Sequence, residues 1–241
     1  MTKMTSSKKS RLVIEHLSFA YREKTVLCDV NLSFPLGQNW AIFGPNGAGK
    51  STLMALAARH LQPLVGKVIY DGFKSSDLSY LPQQIEINLL QALSVFEAVA
   101  VGLYPKIGAF SALKKEEQDK VEALLGKMDL YNLRDNLLTT LSRGQLQKVL
   151  LAQALIKENK FLLLDEPLTA LDEQSARNLT SFIFSSQKER TLMCVLHDPA
   201  LVRAYFSHVV YLNETVRYSG SVTGAPLCCL LYTSDAADDS F

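Results

Sequence analysis

Gly44-Pro-Asn-Gly-Ala-Gly-Lys-Ser51 is the segment that most restricts what this chain can fold into. It fits G-x-x-x-x-G-K-[ST] in full, after the short apolar run Gln38–Phe43 and before the helix formers of Ser51–His60, so it calls for strand, loop and helix in succession. Its glycines let backbone N–H groups curl around phosphate oxygens, and the helix that follows adds its positive end. Lys50 is placed to reach β- and γ-phosphates, and the Ser51 hydroxyl to ligate Mg²⁺. The candidate phosphate contacts are therefore Gly44, Pro45, Asn46, Gly47, Ala48, Gly49, Lys50 and Ser51, with Thr52 just inside the helix.

Two further segments suit that site. Phe161-Leu-Leu-Leu-Asp165-Glu166-Pro167 is an apolar strand ending in a carboxylate. Asp165 is expected beside the glycine loop, holding Mg²⁺ through water, and Glu166 is one step on, able to polarise an attacking water. Leu141-Ser-Arg-Gly-Gln145 precedes a helix expected over Leu146–Lys157, whose Leu146, Val149, Leu150 and Ala154 share a buried face. Ser142 is a good cap there, and Gly144 would let a phosphate approach free N–H groups. One glycine loop fills one phosphate site, so a second phosphate-grasping helix start needs a reason.

The rest of the chain alternates in character. Arg11–Phe19 and Val26–Phe34 read as strands around a polar turn at Arg22–Lys24. Lys67–Tyr70, Asp71-Gly72 and Leu78–Leu81 read as strand, turn and strand. From about Glu86 to Thr140 the chain is helical, with Val121, Leu124, Leu125 and Met128 on one face and Lys114–Lys120 as a solvated helix start. Phe161–Leu164, Thr191–Leu196 and Val209–Leu212 are runs typical of strands buried in a parallel sheet. The expected fold class is α/β: a P-loop core with a mostly parallel sheet, an N-terminal antiparallel β subdomain and an inserted α-helical subdomain.

Composition excludes several classes. With 241 residues, 48% hydrophobic and 20% charged, the chain is long enough for a real core and is neither disordered nor fibrous. A net charge of +1 gives no broad basic footprint, so no nucleic acid partner is expected. The apolar stretch Ile87–Leu113 is broken by Gly102, Pro105 and Gly108, which rejects a membrane span but leaves an apolar surface needing a cover. Cys28, Cys194, Cys228 and Cys229 form no C-x-x-C pair and read as reduced, cytosolic thiols. Residues 1–10 are expected to be disordered, without the apolar core of a signal peptide. Cys229–Asp239 looks like the translation of a transposase-based sequencing adapter, so residues 229–241 are set aside as non-native.

The segments described above, in this order, resemble the ATP-binding cassette ATPases over nearly all of residues 11–228. Gly44–Ser51 is similar to the family's Walker A motif, Phe161–Glu166 to Walker B with its glutamate, and Leu141–Gln145 to the signature motif, with Arg143 where the family usually has Gly. Tyr80-Leu-Pro-Gln83 resembles the Q-loop, Thr169-Ala-Leu-Asp172 the D-loop, and His197 the switch histidine. Tyr21 matches the aromatic that stacks on adenine. The resemblance implies a nucleotide-binding domain over 11–228 with a helical subdomain near 86–145. It implies ATP and Mg²⁺ as ligands, with Ser51, Gln83 and Asp165 on the metal. Glu166 is then the general base, His197 steadies the γ-phosphate, and Gln83 reports both to the helical subdomain. It also implies head-to-tail pairing, in which Ser142, Gly144 and Gln145 of one chain complete the site of another.

Segments Val95–Phe110 and Ala204–Asn213 resemble the importers of metals and iron chelates. In that group the apolar block Ile87–Ala112 faces a membrane permease, a solute-binding protein delivers the cargo, and the chain sits on the cytoplasmic face of the membrane. The alternative is a non-transport cassette ATPase of the translation, repair or iron–sulfur assembly type. No segment between Ser51 and Asp165 has the length of the coiled coil that repair types carry. A pure binding module is disfavoured, since Lys50, Asp165 and Glu166 are all present.

Overall fold

Two long strands whose apolar residues largely alternate with polar ones open the fold. In the computed structural model, which describes residues 10–83, 92–108, 112–185 and 190–225, these are β1 (Arg11–Tyr21) and β2 (Lys24–Pro35), joined by a tight turn at Arg22 and Glu23. Then come β3 (Asn39–Phe43), α1 (Lys50–Ala57), β4 (Val65–Asp71) and β5 (Leu78–Leu81). The helical stretch follows as α2 (Val95–Ala100), α3 (Tyr104–Ile107), α4 (Lys115–Lys127) and α5 (Arg143–Leu155). The chain continues through β6 (Phe161–Asp165), α6 (Glu173–Ser185), β7 (Thr191–Val195), α7 (Pro199–Tyr205), β8 (His208–Asn213) and β9 (Thr215–Ser221).

The strands form two sheets. One is antiparallel, in the order β2-β1-β4. The other runs β5-β6-β7-β3-β8-β9, parallel throughout except for the last pair. Its central strands are apolar along their middles, with polar residues only at their ends (Asn39, Asp165, Thr191, His208, Asn213), because both faces are covered, and successive side chains turn to opposite faces. Phe161, Leu163, Met193, Val195, Ile42 and Val210 pack towards the antiparallel sheet and α1. Leu162, Leu164, Leu192, Cys194, Ala41 and Val209 pack towards α2, α4, α5 and α6. Val121 and Leu125 of α4 and Met128, the residue that caps it, are buried in that second core as their spacing predicts, and Leu124 is half-buried against it.

The structure corrects two local readings and extends a third. Lys67–Tyr70 and Leu78–Leu81 are strands as expected, and they belong to different sheets. β4 joins β1, while β5 crosses to the parallel sheet beside β6, with a 3-10 turn at Ser75–Asp77 between them. α1 stops at Ala57, short of His60, because Arg59 adopts a left-handed φ of 60°. α5 starts at Arg143, not Leu146, so Gly144 and Gln145 belong to its first turn. Cys228, Cys229 and the tail 229–241 lie outside the described residues, as do residues 1–9 and the start of the segment expected to be helical from 86.

Candidate functional site

The glycine loop between β3 and α1 is shaped by what crowds it. Gly44 has φ +152°, and a Cβ there would stand 2.0 Å from the Leu212 carbonyl oxygen at the end of β8. Gly49 caps α1 in a left-handed conformation, φ +92°, where a Cβ would meet Leu27 Cδ2 at 2.7 Å and the Val26 carbonyl at 2.9 Å. Only glycine serves at both positions. The β8–β9 turn braces the loop from behind: the Glu214 N–H donates to the Ala48 carbonyl at 3.2 Å, and the Glu214 carbonyl accepts from the Cys28 N–H at 2.9 Å. Lys50 is 6% exposed, and its ammonium donates to the Gly44 and Pro45 carbonyls at 2.9 and 2.8 Å. Burial pushes its pKa down, against the opposing pull of the Glu166 and Asp165 charges.

One strand end brings both acidic groups to this loop. Asp165, the last residue of β6, is 1% exposed. Burial raises its pKa, a hydrogen bond from Ser51 lowers it, and the Glu166 charge raises it again. Its Oδ1 is buried without a partner among the described residues. An unsatisfied buried carboxylate oxygen beside a serine hydroxyl is a hard-oxygen donor set that suits Mg²⁺, which takes one or two carboxylates and completes its shell with phosphate and water. The residues present therefore fit that ion.

Glu166 follows in a left-handed conformation, φ +49°, which turns its side chain out of the strand line. Its Oε2 accepts from the Gln83 amide at 2.8 Å, and its Oε1 lies 2.8 Å from His197 Nε2. Gln83 comes from just beyond β5 and His197 from just beyond β7, the two strands flanking β6. Parallel neighbours with ends in register converge three side chains on one point. Ligands in open α/β sheets bind at such carboxyl ends of strands.

A cleft of about 390 Å³ joins these groups. It is lined by Tyr21, Lys24 and Val26 from the β1–β2 hairpin, by Asn46–Thr52, and by Gln83 and Glu166. Tyr21 is half exposed, its ring held edge-on by Phe19 at 4.9 Å. Gly44, Pro45, Asp165 and His197 stand behind this lining and touch it through the bonds above. Lys24 and Val26 were missed by sequence reasoning, although the strand register that puts Lys24 opposite Tyr21 follows from the hairpin.

Ser142, Gly144 and Gln145 do not reach the cleft. Ser142 caps α5 reciprocally: its hydroxyl accepts from the Gln145 N–H at 3.3 Å, and Gln145 Oε1 accepts from the Ser142 N–H at 2.9 Å. Gly144 packs close to the turn after β6, where a Cβ would meet the Ala170 carbonyl at 2.9 Å, and the Gln147 amide donates to the Pro167 carbonyl at 3.3 Å.

A glycine loop between a parallel strand and a helix, a buried carboxylate beside it and a glutamate held over its mouth define a P-loop nucleotide hydrolase. Residues 27–169 match the family model described as ABC transporter. The zinc transport system ATP-binding protein TroB of Treponema pallidum is 33% identical over 218 residues, covering 88% of this chain and 82% of that protein. The manganese transport system ATP-binding protein MntB of Listeria innocua is 31% identical over 214 residues, covering 87% and 89%. A solved inward-facing structure of a metal-chelate type ABC transporter superposes with a TM-score of 0.77 at 27% identity, covering 93% of this chain and 89% of that one. The chain belongs to the ABC transporter family and is one of its ATPases. Among the described residues no helix is long and apolar enough to cross a membrane.

Proposed function

We propose that this chain is the ATP-hydrolysing motor of a membrane importer for a metal ion or a metal chelate. The observation that carries hydrolysis is Glu166, held between Gln83 and His197 over the cleft that Lys50 and Ser51 line. The zinc, manganese and metal-chelate systems named above support the cargo class.

In this reading Tyr21 stacks on adenine, and the N–H groups of residues 44–52 wrap the phosphates. Lys50 leaves the Gly44 and Pro45 carbonyls to meet the β- and γ-phosphates. Ser51, Asp165 and Gln83 hold Mg²⁺, which when bound neutralises phosphate charge. Glu166 takes the proton of the attacking water, and His197 steadies the γ-phosphate. Gln83, bonded to Glu166 and leading into the segment after β5, carries the state of the site to the helical subdomain. A second copy supplies Ser142, Gly144 and Gln145, which explains why they lie away from the cleft of their own chain. The apolar segment around α2 and α3 docks a permease, a solute-binding protein delivers the cargo, and the chain works at the cytoplasmic face of the membrane.

Glu166→Gln keeps the shape and removes the base, so turnover is expected to fall by roughly 10²–10⁴ while ATP binding persists. Unchanged ATPase activity in that variant removes Glu166 from the role of base. The cargo is tested in proteoliposomes containing the chain and its permease: ATP-dependent uptake of Mn²⁺, Zn²⁺ or a ferric chelate is expected, and uptake of a sugar or amino acid in its place overturns the class.

A further inference from the structure

The cleft wall carries one cation that no role above uses. Lys24 opens β2 directly opposite Tyr21, across the tight turn at Arg22 and Glu23, so the hairpin fixes the lysine beside the aromatic. Both line the same mouth of the cleft. The Lys24 side chain is exposed, and its ammonium has no hydrogen bond or ion pair among the described residues. Lys50, the other lysine of the lining, is nearly buried and lies at the inner end against the loop carbonyls. The inner end also holds the negative charges of Glu166 and, beneath it, Asp165. Among the described residues that line it, the outer half has an aromatic face and one free positive charge.

A nucleotide seated with its base on Tyr21 and its terminal phosphates at Lys50 must run its ribose and α-phosphate past that charge. We propose that Lys24 is a second nucleotide-binding cation, which meets the α-phosphate side of the nucleotide and sets affinity without touching the reacting bond. This rests on the reading that Tyr21 stacks the base. A contact made equally by substrate, transition state and product is uniform binding: it lowers KM and slows ADP release but adds nothing to the chemical step. Being exposed, it is also screened by salt.

The test is the binding of ATP, ADP and AMP to the whole chain, by calorimetry at low and high salt, for the parent, Lys24→Met and Lys24→Arg. Lys24→Met keeps most of the stem and loses the charge. It is expected to weaken all three ligands by a similar factor of about three to ten at low salt, the gap closing at high salt. KM should rise while kcat holds, and Lys24→Arg should restore affinity. Unchanged affinity in Lys24→Met makes Lys24 a solvent lysine and overturns the proposal. A loss confined to ATP overturns it too, since the contact would then be with the γ-phosphate. Tyr21→Ala separates the two readings. If that variant binds ATP as the parent does, base stacking itself fails and the argument for Lys24 goes with it. If it binds weakly while Lys24→Met is unchanged, only the role of Lys24 is lost.

Discussion

Asp165 shows how a single residue can be kept against the interest of the fold. At 1% exposure its carboxylate is desolvated, and burial raises its pKa more than the Ser51 hydrogen bond lowers it. A group whose pKa is raised on folding adds stability below its unfolded pKa and loses that contribution as pH rises through the folded value. Once pH has risen through that folded value Asp165 is a net cost to the fold, one an Mg²⁺ ion would relieve. Asp165→Asn is expected to raise the melting midpoint of the metal-free protein by a few degrees, of the size that about 1 kcal/mol produces in a chain of this length. The gain should vanish below about pH 4, where an unfolded aspartate is itself protonated. ATPase activity should fall by about 100-fold or more. Melting curves in chelator across the acid to neutral range check both signs, and a variant less stable than the parent near neutral pH contradicts the desolvation argument.

Elements were legible where one physical constraint dominated. β3, β6, β7 and β8 could be read because a strand buried on both faces carries an unbroken apolar run, and α4 because its apolar residues recur on one face. β9 went unread: it is an edge strand with few apolar residues, paired on one side only. α6, also unread, buries only Leu179, Thr180 and Ile183. β4 and β5 were legible as strands but their partners were not, because local turn chemistry cannot say which sheet a strand will join. The candidate site was more legible than the fold, since loop chemistry fixes its residues by type; what sequence left out was Lys24 and Val26, whose places depend on the β1–β2 register. Gly102 was read as a helix breaker, and α2 does end just before it. It is also a contact point: a Cβ there would meet Ile156 Cγ2 at 2.4 Å and the Gln153 carbonyl at 2.5 Å, so it sets how closely the α2 segment approaches α5. Gly102→Ala is expected to cost about 1–3 kcal/mol by overpacking, read as an earlier midpoint in urea. An unchanged midpoint would mean that the two segments can part without loss.

The whole molecule divides the residues proposed to meet phosphate between two surfaces. The cleft carries Lys50, Ser51 and Glu166, while the start of α5 stands apart from it, tied to the turn after β6 through Gly144 and Gln147. The turn after β6 begins at Glu166 itself, where the Thr169 hydroxyl donates to the Glu166 carbonyl at 2.9 Å. A phosphate seated at one surface and a helix start at the other are thus joined by a few residues of backbone. If two copies meet head to tail, each helix start closes over the other's cleft, and occupancy of one site is felt at the second through that backbone. Glu166→Gln, which retains ATP, is then expected to shift from monomer to dimer when ATP is added and to remain monomeric with ADP. Adding Ser142→Phe to that variant fills the helix start and should abolish the dimer, while a single chain still binds ATP through its own cleft. Light scattering of the eluting protein measures the first outcome and calorimetry the second, with the melting midpoint showing that the double variant is folded. A dimer that survives Ser142→Phe would place the contact elsewhere and leave the start of α5 as no more than a capped helix.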